Sequence, residues 1–223
     1  MRKRRQNDPE GVRRNIVEVA THEFAQKAFS GARVDAIANR TRTSKRMIYY
    51  YFGSKERLYL AVLEGAYAAI RQQESTLDLE HQSPEQALAT LVASTFDYYH
   101  AHPEFVRLVM SENIMDGVHM KRSKTIGKLN VTVIDAVRRI LARGQKTGVF
   151  RRGIDPIELH MTISALGIFN VANRATFSHI FQRVMATPDA LARRREIVID
   201  TIIRYVRKAP AAGRRPTKRR KRV

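Results

Sequence analysis

Five side chains within six consecutive residues, Lys45, Arg46, Met47, Tyr49 and Tyr50, are of types that hold phosphates and read base edges. Arg46 can offer its guanidinium fork to guanine O6 and N7 or to a phosphate. Ile48 and Phe52, four residues apart, give the segment an apolar side. A helix that buries these two turns the cationic and aromatic set toward solvent. The chemistry is recognition of a polyanion.

A second short helix must precede this one to support it. Val34, Ile37 and Ala38 share one face at helical spacing, and Arg42 and Thr43 fall in the tight turn between the two apolar faces. Two short helices, a tight turn and a cationic second helix within some twenty residues form the layout of a DNA-reading helix-turn-helix. Ser54 is placed to cap a following helix from Lys55. There a cation and backbone N–H groups can meet an anion.

The charge balance points to the same partner. The 223 residues carry 41 Lys and Arg against 21 Asp and Glu, a net +20. Residues 1–60 hold 14 basic and 6 acidic side chains, and residues 207–223 hold 9 basic and no acidic ones. The excess sits at the two ends, and the middle is close to neutral. The basic stretches near both termini read either as solvated tails or as added nonspecific affinity for phosphates.

With 43% hydrophobic residues the chain reads as globular. No apolar run is long enough for a bilayer, and the arginine-rich start lacks the apolar core of a signal peptide, so a cytoplasmic protein with no membrane partner is expected. The absence of cysteine excludes disulfides, thiolate metal sites and cysteine nucleophiles. His22-Glu23 lacks the second histidine of a zinc-protease helix, because Gln26 fills that place. His100 and His102 are two apart and do not share a helical face. With no phosphate loop or nucleophile elbow, no catalytic residue, metal or cofactor is expected.

The remainder reads as helix after helix, an all-α chain. Four regions are expected: a basic arm (1–12), a helix-turn-helix head (13–77), a larger helical body (78–207) and a disordered basic tail (208–223). Within the body, helices are expected from Ser83-Pro84 to His102-Pro103, Pro103 to about Asn113, Leu129 to Lys146, Pro156 to about Arg183, and Pro188 to Val206. Residues 116–128 read as a loop with a short helix.

The stretch TSKRMIYYYFGSKE, Thr43 to Glu56, is similar to the VSKGTLYHYFGSKE pattern of the tetracycline-repressor (TetR) family of bacterial transcription regulators, and the resemblance spans about Arg14 to Ile70. It implies that Lys45, Arg46 and Tyr49 contact bases or nearby phosphates, and that Tyr51 and Lys55 hold the DNA backbone. Arg33, Thr43, Met47 and Tyr50 complete the candidate DNA-binding set. Four positions depart from the pattern. Arg42 stands where the family has glycine, Arg46 and Met47 replace a glycine and a threonine, and Arg33 replaces a hydroxylic cap.

The resemblance also implies that the body dimerises and senses a small molecule. Leu159, Ile163, Leu166 and Ile168, with Leu191, Val198, Ile202 and Tyr205, are the expected dimer seam. Phe96, Tyr99, Phe105, Met110, Phe169, Asn170 and Asn173, joined by Leu108 and Phe177, are candidate effector contacts for a mainly apolar pocket. The leading reading is a ligand-responsive repressor whose homodimer binds a palindromic double-stranded operator in the bacterial nucleoid. The alternative is a constitutive or architectural DNA-binding protein without an effector, which would show far less sequence preference.

Overall fold

The computed structural model of the chain describes residues 8–209. Most of the basic arm and nearly all of the basic tail lie outside the described residues. Ten α-helices follow one another among those described: α1 Pro9–Gly31, α2 Val34–Thr41, α3 Lys45–Phe52, α4 Lys55–Ser75, α5 Pro84–Ala101, α6 Pro103–Ile114, α7 Lys124–Lys146, α8 Pro156–Ala172, α9 Arg174–Ile180 and α10 Pro188–Val206. The β structure among the described residues is a single antiparallel bridge, Phe150 to Arg207.

Helix starts follow their caps. Ser44, Ser54 and Ser123 each accept a backbone N–H from the first turn of α3, α4 and α7. At α5, Ser83 and Gln86 form a reciprocal capping box with Pro84 in the first turn. Two boundaries differ from the sequence expectation. The cap at Ser123 starts α7 five residues before Leu129, so Lys124 to Lys128 are helical and only the short 3-10 turn Met120–Arg122 precedes them. The helix expected to run from Pro156 to about Arg183 breaks at Asn173, whose side-chain amide donates to the Phe169 carbonyl (3.3 Å) and so offers the backbone a local alternative to continuing.

Three apolar clusters form the interior. The head cluster joins Ile16, Ala20 and Phe24 of α1 with Ile37, Ile48, Phe52, Leu58, Tyr59 and Leu63, and it also takes in Leu108 of α6 and Ile126 of α7. Head and body therefore share a core. Their contact is reinforced by His119, whose ring lies tilted against Phe29 and edge-on to Tyr59 and is held by the buried Glu112 carboxylate at 2.8 Å. The second cluster packs α5 against α7, α8 and α10. The third joins Ile70 of α4 to Tyr98, Tyr99, Phe105 and Val106.

Candidate nucleic-acid interface and body cavities

The helix-turn-helix forms from the two short helices as their spacing requires. α2 closes at Arg42, whose φ of 52° is left-handed, while Thr43 N–H donates to the Ala38 carbonyl at 3.0 Å. A non-glycine residue there costs roughly 1–2 kcal/mol, which places a cation at the turn at the expense of backbone strain. Arg33 provides no side-chain cap to α2. Its own N–H instead donates to the buried Glu23 carboxylate at 3.2 Å, which also accepts from Lys27 at 2.8 Å. Burial pushes the Glu23 carboxyl up, but the hydrogen bonds from Lys27 and Arg33 and the charges of Lys27 and Arg40 outweigh it and hold it below its ordinary value.

On α3, Ile48 and Phe52 are buried and Lys45, Arg46, Met47, Tyr49 and Tyr50 are exposed, Tyr50 at 78%. Arg33 is exposed, and Thr43, Tyr51 and Lys55 are partly buried. All nine lie on or beside the two-helix unit. They do not stand alike. Arg46 makes no ion pair among the described residues, whereas Lys45 Nζ is paired with Asp35 of α2 at 3.0 Å. Lys55 Nζ lies 4.8 Å from the centre of the Phe29 ring, so its stem is steadied by α1. Asp35 escaped the sequence reading, although an acid on the outward face of the first helix could have been read as a partner for the second.

The candidate effector contacts do not converge on one cavity. Phe96, Tyr99, Phe105 and Leu108 are buried core side chains; Tyr99 lies against Gly167, stacks on Phe105 and donates to Ser164 Oγ at 3.3 Å. Met110 borders an open cleft of about 790 Å³ between α1, α6 and the α8–α9 junction. Asn173 reaches both that cleft and a cavity of about 140 Å³ that Phe169, Asn170 and Phe177 also border. A different cavity, about 390 Å³, opens between α4, α5 and α7, with Leu77, Leu91, Val133 and Ala136 as apolar wall and the buried Arg71 and largely buried Glu74 among its polar groups. Burial lifts the Glu74 carboxyl to about 7 although Arg71 opposes it. Burial, assisted by the charge of Arg71, lowers His160 to about 4. Sequence reasoning missed Arg71 and Glu74; their i, i+3 spacing at the end of the α4 apolar stripe was the available signal.

Of the expected dimer seam, Leu159, Ile163, Val198 and Ile202 are buried within the protomer, packed into its α5–α7–α8–α10 cluster. They have no surface left to cover. Leu166, Ile168 and Leu191 are partly buried and Tyr205 is exposed. The apolar residues that α8 presents outward are Ile157 (61% exposed), Met161 (57%) and Phe169, with Ile197 and Tyr205 on α10.

Comparison with known proteins places this arrangement. Residues 16–62 match the family described as bacterial regulatory proteins, tetR family, and residues 84–202 match the tetracyclin repressor-like C-terminal domain. The HTH-type transcriptional repressor NicS of Pseudomonas putida is 37% identical over 197 residues, covering 88% of this chain and 93% of that protein. The HTH-type transcriptional repressor SCO4008 of Streptomyces coelicolor is 36% identical over 112 residues, 49% of this chain and 54% of that one. A crystal structure of a bacterial regulatory protein in the tetR family from Rhodococcus RHA1 superposes with a TM-score of 0.70 at 16% identity, over 89% of this chain and 98% of that chain. The chain belongs to the TetR family of DNA-binding transcription regulators, with the family's helix-turn-helix head and its C-terminal domain in one polypeptide.

Proposed function

We propose that this chain represses transcription as a homodimer that reads a palindromic operator in the bacterial cytoplasm and leaves it when a small molecule enters the body. The observation that carries the reading is α4, a 21-residue helix from Lys55 to Ser75 with the DNA-facing head at one end and Arg71 and Glu74 in the 390 Å³ cavity at the other. Sixteen residues separate Lys55 from Arg71, roughly 24 Å along the axis. A ligand that tilts the far end of α4 therefore moves the α3–α4 junction, and in a dimer changes the spacing of two α3 helices that must meet successive major grooves.

Two further features support it. The relatives in Pseudomonas putida and Streptomyces coelicolor are both named repressors, which supports repression as the sign of the effect. The α8 sequence PIELHMTISALGIFNVA has apolar residues on every side, and a helix of that kind needs cover all round. Its inner side is covered by the protomer; its outer stripe of Ile157, Met161 and Phe169 is the surface assigned to the second copy, with Ile197 and Tyr205 of α10 beside it.

The test is sedimentation of the full chain alone and on a genomic fragment selected for binding, followed by a reporter driven from that fragment. A dimer in solution, two protomers per palindromic site and lower reporter output in the presence of the chain are expected. A monomer bound singly, or higher reporter output, contradicts the reading.

A further inference from the structure

Arg71 is 7% exposed and lies on α4 at the wall of the α4–α5–α7 cavity. Its Nη2 lies 3.0 Å from Glu74 Oε1, an ion pair between two buried side chains. The contact is poorly aligned, for Glu74 Oε1 is left without a hydrogen bond, and Arg71 Nε and Nη1 meet no acceptor among the described residues. Unpaired donors on a buried guanidinium are costly, so such a group calls for an anion. Both forks of the guanidinium, the Nη1–Nη2 end and the Nε–Nη2 edge, contain one of the unpartnered nitrogens.

We infer that the effector of this protein is a small organic carboxylate whose carboxylate group binds the Arg71 guanidinium and whose apolar body lies against Leu77, Leu91, Val133 and Ala136. The inference rests on the effector-released repressor proposed above and names the ligand class. Three observations fit it together. A planar fork matches a carboxylate bidentately. A cavity of about 390 Å³ is at the small end of ligand sites, which suits a ring or short chain rather than a long acyl tail. Glu74, lifted by burial to about 7, neutralises Arg71 only in part near neutrality and leaves cationic character for a ligand to meet. The wall of the cavity is also fixed in place, because Arg143 of α7 donates to the carbonyls of Leu79 (2.9 Å) and Glu80 (2.7 Å) in the α4–α5 loop.

The experiment uses the full-length dimer with benzoate, cyclohexanecarboxylate and hexanoate as probes, each beside its uncharged amide, and reads thermal stability and operator affinity. At least one carboxylate is expected to raise the midpoint and weaken operator binding, with its amide at least tenfold weaker. Arg71→Met should abolish the carboxylate effect and Arg71→Lys should keep part of it. Glu74→Gln, which removes the competing anion, should tighten the carboxylate several-fold; a residue that only holds the fold would not produce that gain. The inference is overturned if no carboxylate stabilises the wild type, or if Arg71→Met, folded by circular dichroism, responds as the wild type does. If amides release the operator as well as the acids do, the effector reading stands and the carboxylate assignment falls. If a carboxylate binds through Arg71 and operator affinity is unchanged, the anion site stands and its coupling to DNA falls.

Discussion

Lys45 Nζ, at the first residue of the recognition helix, lies 3.0 Å from Asp35 Oδ1 on the helix before it. The pair ties α3 to α2 and, in the proposed DNA-binding role of Lys45, holds a cation back from the phosphates. Both partners are about half exposed, so the pair itself stabilises the fold by no more than about 1 kcal/mol. Asp35→Asn should therefore leave the unfolding midpoint nearly unchanged and tighten DNA binding, with the salt slope steeper by about one unit as Lys45 turns to a phosphate. Titration over a range of salt concentrations measures both; weaker binding would show that Asp35 orients Lys45.

Substitution separates the proposed dimer surface from the core. Met161→Glu combined with Ile157→Glu changes exposed residues of α8 and should give a folded monomer that has lost most operator affinity, because one head then meets a two-fold site. Val198→Glu places an unpaired charge in the protomer's own core and should unfold the chain or cost it about 3–5 kcal/mol. Sedimentation with circular dichroism tells the outcomes apart. A dimer that survives the α8 double substitution moves the interface elsewhere.

Glu74 and His160 pull stability in opposite directions with pH. Glu74 titrates near 4.5 when unfolded and about 7 when folded, so its contribution is fully present below 4.5 and is lost as pH rises through about 7. His160 falls from 6.5 to about 4, so its contribution is present above 6.5 and is lost as pH falls through about 4. Each is on the order of 3 kcal/mol, and in the wild type their pH dependences nearly cancel in the overlap. His160→Gln should leave a chain that weakens toward alkaline pH, and Glu74→Gln one that weakens toward acid. Denaturant unfolding across pH measures this; parallel curves for all three proteins would contradict it.

The head was legible in the sequence because everything that defines it is local. Val34, Ile37, Ile48 and Phe52 set the buried faces, and Ser44 and Ser54 set the helix starts within about twenty residues. The body was legible only as helices. Nothing within PIELHMTISALGIFNVA says which stripe faces inward, because no side of it is polar; packing of α5 and α10 takes Leu159 and Ile163 inside and leaves Ile157 and Met161 outside. Arg71 was silent for a related reason. An arginine beside the stripe residue Ile70 reads as a side chain that reaches water, yet it is only 7% exposed, in a cavity whose lining includes Leu79 and Glu80 of a loop that Arg143 pins from 64 and 63 residues away.

Equilibrium binding of the wild type and Arg46→Ala to a selected operator and to random DNA of equal length tests the DNA-reading role of α3 most directly. The wild type should prefer the operator by roughly a thousandfold or more. Arg46→Ala, with its fold intact because Ile48 and Phe52 still anchor α3, should lose about 1–3 kcal/mol on the operator and less on random DNA. Equal affinity of the wild type for both DNAs, or an Arg46→Ala variant that binds the operator as the wild type does, would contradict sequence reading by this helix.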